Sequence, residues 1–475
     1  MTLTTITGRQ SVKCSVHYKK TASSVTLESL SELFSDFHRV SILGGNAAKS
    51  QADGFSYWAA EPREVFVFQT GQQHPFEKLQ ASLDKYKLDK PHLGELPEGM
   101  FCGGWIGYFG YELGRYIEQL PERTVDDLKM PLIRLCFYDK LICYEHRNKV
   151  FWLTALEMDD DSEPPNEKLA VLQSLLTKAE TTSVGKLVCG RIEDIDFKGI
   201  SCNMNKNYYL EAVEKIKGYI YDGQVYQVNF SQRFESEFNG RPIDLFQWQN
   251  DYNPSGYAVY IDAGDFVIVS ASPEMFVTVR NRFLSTKPIK GTRPRIQNYS
   301  DVNKLYFDEL AKSEKEQAEL NMIIDLERND LARICKPGTR NVIQPRTIEA
   351  YPTVFHAVAT VAGELKDEVT FCDIFKAMFP GGSITGAPKI SAMEIIDETE
   401  PTARGVYTGS IGFIGIDGTV CLNISIRTII IKNQTAYVQA GGGIVADSDA
   451  EAEWRETLVK ARALVAGFQS IKKYG

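Results

Sequence analysis

Between residues 225 and 234 the chain alternates cleanly. Gln227, Asn229, Ser231 and Arg233 fall on one side of an extended strand, while Tyr226, Val228 and Phe230 fall on the other. A helical stretch over 206–221 precedes it. Short alternating runs at 257–261, 266–269 and 276–279 follow, separated by turn residues, and 420–431 and 436–439 read as two further strands. Helical periodicity also marks 27–37, 167–179, about 302–330 and 449–468, with short strands at 65–68 and 150–153. Strand runs with helices inserted late predict an α+β architecture, packed antiparallel sheets surrounded by helices, rather than a doubly wound sheet. The glycines and aromatics of 103–111 read as a tightly packed buried corner. Polar breaks at 159–165 and 180–185 suggest a division into residues 1–185 and 190–470.

The 475 residues are 43% hydrophobic and 24% charged, a composition that suits a folded globular chain. A formal charge of −9 without a compensating basic run argues against a nucleic-acid or anionic-membrane surface, so an anionic ligand must meet a local basic pocket. Nine cysteines, scattered and without a CxxC pair, fit a reducing compartment and argue against structural zinc. Residues 1–6 lack the features of a signal peptide, and no apolar run approaches the roughly 20 residues of a membrane span. A cytoplasmic protein is expected.

Several groups carry possible chemistry. Lys290 is bracketed by Pro288 and Gly291 in a stiff turn. Desolvation that lowers its pKa by about 3 units, at about 1.4 kcal/mol each, would make the amine a nucleophile; the alternative is a lysine closing a surface turn. Glu274, after Ser272-Pro273, can act as a general acid if buried. Glu316 and Glu319 share one helix face, as do Glu453 and Glu456. Brought together, these carboxylates would require a cation, and all-oxygen ligation favours magnesium. Apart, they are solvated faces paired with Lys315 and Lys460.

The glycine-rich segment 381–389 leads into a helix and offers amides to an anion, but it lacks the GK[ST] ending of a nucleotide loop. Gly441, Gly442 and Gly443 read equally as a binding loop or a tight turn. Arg427 follows Asn423 and Ser425 along the polar side of its strand, where it can reach a carboxylate. His356, among apolar neighbours, reads as a core histidine.

These residues lie in strings that resemble the chorismate-utilising enzymes: GYFGYELGRYIEQLP (107–121), QVYQVNFSQRF (224–234), PIKGT (288–292), MIIDLERND (322–330), GGSITGAPK (381–389) and GGGIVADS (441–448). The resemblance spans nearly the whole chain and is greatest to the C4-aminating branch, the aminodeoxychorismate synthases. It implies an N-terminal region of anthranilate synthase type over 1–185 and a chorismate-binding catalytic domain over 190–470. It also implies magnesium on Glu316, Glu319, Glu453 and Glu456, holding a substrate carboxylate. Gly291, Thr292, Tyr407, Arg427 and residues 441–443 would bind chorismate, with Ser383, His356 and Lys460 beside it.

Isochorismate-type relatives carry a water-activating lysine where this chain has Gln227, and anthranilate synthases carry alanine where it has Lys290. The implied reaction therefore uses Lys290 as covalent nucleophile at C2, Glu274 as acid on the C4 hydroxyl, and ammonia. This chain shows neither a GxCxG elbow nor a His-x-Glu, so a separate glutamine amidotransferase is the expected source of that ammonia. Anthranilate formation, or a silent chorismate-binding regulatory subunit, are the alternatives. Relatives that bind tryptophan carry Leu-Leu-x-Ser where this chain reads Ser41-Ile42-Leu43-Gly44, while Asn253-Pro254-Ser255 is retained.

Overall fold

A computed structural model describes residues 11–44, 54–89, 94–185, 197–296, 299–351 and 354–472. The reading of residues 1–6 therefore lies outside the described residues, as does the stretch 186–189 between the two expected regions.

Period-two patterning along the strands produces four layers. In the strand Tyr257–Asp262, Ala258 and Tyr260 point into a cluster with Trp248, Leu33 and Leu464. Val259 and Ile261 point the other way, against Ile106, Tyr108 and Tyr138. In Ile133–Tyr138, Ile133, Leu135 and Phe137 face Phe76, Phe375 and Ile396. Two sheets thus pack face to face, each covered by helices on its outer side, as the α+β reading expected. Among the described residues the sheets contain thirteen and ten strands. Both cross the 185–190 region: Tyr260 pairs with Ile42 in one, and Ile411 with Tyr108 in the other. The first and second parts of the chain therefore share the same sheets and cores. Close approach inside the glycine-rich corner is literal, since a Cβ on Gly107 would sit 1.9 Å from the Arg134 carbonyl.

The helices expected over about 302–330 are Ser300–Lys312 and Glu314–Ile334. They are separated by Ser313, whose extended backbone interrupts the first and whose hydroxyl accepts from Glu316 N to cap the second. The 420–431 run is two strands in different sheets: Val420–Ile424 pairs with Met275–Arg280, and Thr428–Lys432 with Phe266–Ser272. Arg427, at φ +51°, sits at the crossing. A left-handed residue breaks the pleat, so Arg427 does not continue the alternation of Asn423 and Ser425. The hairpin Asn341–Ala350 with Val354–Glu364 was not legible, because its first strand is largely polar and half-exposed.

Candidate active site

Lys290 lies on the strand Ile289–Pro294, whose pairing with Val354–Glu364 slips between Ile289 and Thr292. Gly291 adopts φ +95° in that irregularity, and a Cβ there would press within 3.0 Å of the Glu316 carboxyl. Glycine thus lets the acidic helix approach the lysine. The Lys290 side chain is half-buried, and its amine donates to the Ser383 carbonyl at 3.1 Å. Desolvation holds its pKa below the ordinary lysine value, reinforced by Lys460 and opposed by Glu319, Glu274 and Glu456.

Glu274 lies between the strands Phe266–Ser272 and Met275–Arg280 and is only 4% exposed. Its carboxyl accepts from the Ser383 hydroxyl at 2.6 Å and from Ile289 N at 3.3 Å. Burial raises its pKa against the lowering effects of Ser383 and Lys290. The two shifts favour a neutral amine and a protonated acid, which suits a nucleophile and a general acid.

Ser383 occupies the short turn Gly382–Ile384, which the expected anion-binding segment forms before the helix Lys389–Thr399. Its carbonyl also accepts from Asn229 Nδ2 at 3.1 Å. Lys389, at the end of that segment, pairs with Asp330 at 2.7 Å, so its amine serves a structural ion pair rather than an incoming anion.

Gly441, Gly442 and Gly443 lie inside the strand Thr435–Ile444, opposite Ser231, Phe230 and Asn229, and do not form a turn. The reason is local crowding: a Cβ on Gly442 would sit 3.0 Å from Glu453 Oε2, and one on Gly443 would sit 2.2 Å from Gln227 Nε2. Gln227 is 1% exposed, and neither polar atom of its amide has a hydrogen-bond partner among the described residues. Such an orphaned amide is costly unless a ligand or water meets it. Lys460 donates to the Gly441 carbonyl at 2.8 Å and pairs with Glu456 at 2.6 Å, combining the expected ion pair with a place beside the glycine strand.

Glu319 on the helix Glu314–Ile334 and Glu456 on the helix Ala450–Lys472 both act electrostatically on the Lys290 amine. Each carboxylate has its own surroundings. Glu316 pairs with Arg293 at 2.7 Å, while its buried Oε2 has no partner among the described residues. Glu453 accepts from the Ser448 hydroxyl at 2.7 Å and is raised in pKa by burial, with Glu456 adding to the rise. Among the described residues, no three acidic, histidine or cysteine side chains stand close enough to hold an ion. The donor chemistry and the orphaned Glu316 oxygen suit a hard divalent cation.

Arg427 donates to the Lys460 carbonyl at 3.2 Å, which ties the crossing point to the second acidic helix. Tyr407 is half-buried, and burial pushes its pKa up to about 12, opposed by Arg404. Thr292 and His356 Nδ1 share a hydrogen bond of 2.9 Å. Desolvation pulls the His356 pKa down to about 4, so the ring is neutral at pH 7. Its apolar setting agrees with the core reading, yet it touches the candidate substrate wall through Thr292.

Sequence reasoning missed the buried charges behind this wall. Glu112, Glu400 and Arg404 are 8%, 3% and 3% exposed; the available signal was a glutamate inside the apolar string GYFGYELG. A separate cavity of about 780 Å³ opens between the sheets, lined by Leu43, Gly44, Tyr257, Arg280 and Glu349 among others, where the tryptophan-binding string departs. No helix among the described residues is long and apolar enough to cross a membrane.

A family model described as chorismate binding enzyme matches residues 46–466. Aminodeoxychorismate synthase component 1 of Bacillus subtilis is 38% identical over 370 residues, covering 78% of this chain and 77% of that protein. Anthranilate synthase component 1 of Acinetobacter calcoaceticus is 36% identical over 406 residues, covering 82% and 79%. The crystal structure of anthranilate synthase component I from Streptococcus pneumoniae superposes with a TM-score of 0.73 at 33% identity, covering 86% of this chain and 92% of that one.

Proposed function

Because this chain belongs to the chorismate-binding enzyme family, we propose that it aminates chorismate at C4 to give 4-amino-4-deoxychorismate, using ammonia from a separate glutaminase subunit. The observation that carries this reading is the desolvated Lys290 amine, joined through Ser383 to the protonatable Glu274. The Lys290 nitrogen forms a bond to C2 of the ring as the two ring double bonds shift. The C4–O bond breaks, and Glu274 gives its proton so that the hydroxyl leaves as water. Ammonia then bonds to C4, the double bonds shift back, the C2–nitrogen bond breaks to return Lys290 as the neutral amine, and the new C4 nitrogen gives a proton back to Glu274. The enolpyruvyl group stays on the ring.

Gln227, with both amide atoms orphaned in the same wall, can hydrogen-bond ammonia or a substrate hydroxyl but cannot deprotonate water. Arg427, Tyr407, Thr292 and the glycine strand at residues 441–443 would orient the diacid. Glu316, Glu319, Glu453 and Glu456 would hold magnesium, which when bound neutralises a substrate carboxylate. The folate-directed pathway and a cytoplasmic setting belong to the same reading.

Anthranilate formation is the second reading, favoured by relatives of that name at similar identity. Incubating the purified chain with chorismate, magnesium and an ammonium salt separates the two. A nonfluorescent product that retains the enolpyruvyl group and needs a lyase to give 4-aminobenzoate supports C4 amination. Immediate fluorescence with released pyruvate rejects it.

A further inference from the structure

One buried guanidinium stands behind three segments that border this site. Arg404 has five N–H donors, and each has an acceptor. Nε and one Nη2 hydrogen meet the two oxygens of Glu400 at 2.8 and 2.6 Å, a bidentate pair whose side chains are 2% and 1% exposed. The other Nη2 hydrogen meets the Asn229 carbonyl at 2.7 Å. Nη1 serves the Ile384 carbonyl and the Thr408 hydroxyl, each at 3.2 Å.

The three outer acceptors belong to three separate segments, and each borders a site residue. Asn229 gives its amide to the Ser383 carbonyl. Ile384 follows Ser383 directly, and Thr408 follows Tyr407. Glu400 adds a fourth tie by accepting from both the backbone N and the hydroxyl of Ser231, at 2.9 and 2.7 Å. The first part of the chain anchors the clamp from behind, because Glu112 accepts from Arg404 N at 2.7 Å and from Gly405 N at 3.0 Å. The guanidinium lies 4.7 Å from the Tyr111 ring centre and 5.7 Å from that of Tyr407.

We infer that Arg404 is the positioning residue of the site: its fork fixes Asn229, the Ser383 turn and the Tyr407 loop relative to one another, and so sets how the Ser383 carbonyl receives the Lys290 amine. The chemical consequence is specific. The Ser383 carbonyl accepts from Asn229 and from Lys290 at once. A carbonyl shared with the Asn229 amide is a weaker acceptor for Lys290 than an unshared one, so it stabilises an ammonium there less. Loosening the clamp or removing the Asn229 amide returns acceptor capacity to the carbonyl and favours the proton on Lys290. The other charged groups facing that amine are Glu319, Glu274, Glu456 and Lys460.

The inference rests on the proposed role of Lys290, so its test includes a readout that needs no turnover. Lys290 is labelled with acetic anhydride across a pH series and read by peptide mass spectrometry, alongside the pH profile of chorismate consumption. In Arg404→Lys, which keeps the charge but loses the fork, the labelling midpoint and the acidic limb of the profile are both expected to move to higher pH. Turnover is expected to fall about 100-fold with a smaller change in KM, the scale of a misplaced reacting group. Asn229→Ala leaves the backbone carbonyl on Arg404 and is expected to give the same upward shift. It decides the matter should Arg404→Lys fail to fold.

Asp127→Asn, which breaks the Arg233 ion pair farther along the same strand, controls for general loosening and is expected to leave the midpoint where it is. Unchanged Lys290 midpoints in the folded variants would overturn the clamp. A wild-type chain that makes no C4-aminated product would instead overturn the functional reading and leave the labelling result to stand on its own.

Discussion

The Lys290 amine donates to the main-chain carbonyl of Ser383 at 3.1 Å, and the hydroxyl of that serine donates to Glu274 at 2.6 Å. One short turn therefore holds both the proposed nucleophile and the proposed acid, and movement of the turn disturbs both together.

Lys290→Ala removes the amine but leaves Glu274 and Ser383 in place. C4 amination is expected to fall by at least about 100-fold, or to be diverted to another product. Chromatography of the products from chorismate and ammonium measures this. Unchanged products and rates would exclude the covalent role.

The pH profile follows from the two shifts. In the proposed reaction Lys290 acts unprotonated, so the rate should rise as pH climbs through its lowered amine pKa. Glu274, as the proposed acid, acts protonated, so the rate should fall as pH climbs through its raised carboxyl pKa. A bell lying between the ordinary carboxylate and lysine ranges is expected. Glu274→Gln should abolish the alkaline limb and lower kcat by about 10²–10⁴, both read by initial rates across pH.

Magnesium dependence tests the acidic faces. Chelation with EDTA should stop chorismate consumption, and added magnesium should restore it. Glu453→Gln, which leaves a side chain able to accept from Ser448, should raise the magnesium needed for half-maximal rate by at least about 10-fold. A magnesium titration that does not change in this variant would remove Glu453 from the metal set.

Two glycine substitutions should separate function from folding. In Gly443→Ala the new methyl meets the far end of Gln227, so the fold should persist while turnover falls about 10–100-fold as the amide is displaced. In Gly107→Ala it meets the Arg134 carbonyl of the neighbouring strand, where only backbone movement relieves the contact, and about 3 kcal/mol of stability should be lost. Thermal melts and rates on the same samples distinguish the two outcomes.

His356 should make the fold acid-sensitive. Its pKa is lowered from 6.5 to about 4 in the folded chain, so between those values the unfolded chain binds the extra proton. This contribution is complete above pH 6.5 and disappears as pH falls toward 4, a loss of about 3 kcal/mol. Denaturant titrations at pH 7 and pH 4.5 should show a smaller difference for His356→Gln than for the unsubstituted chain.

Local patterning carried much of the fold. The helix over 206–221 and the alternating strand after Gln227 stand where the sequence puts them, because hydrophobic period and capping act over a few residues. The break at Ser313 and the crossing at Arg427 were not legible. Both depend on single backbone conformations that the surrounding packing selects.

The site divides along the same line. Sequence alone determined which side chains could do chemistry: the constrained Lys290, the acid after Ser272-Pro273, the carboxylate pairs at helical spacing, and the strings shared with chorismate enzymes. Tertiary structure alone decided their state. Desolvation of Lys290, burial of Glu274 against Ser383, the orphaned amide of Gln227 and the reach of Arg404 to Ile384 and Asn229 arise between segments tens to hundreds of residues apart. Solvent exclusion and hydrogen-bond geometry are properties of what surrounds a group, and a linear pattern records only its neighbours in the chain.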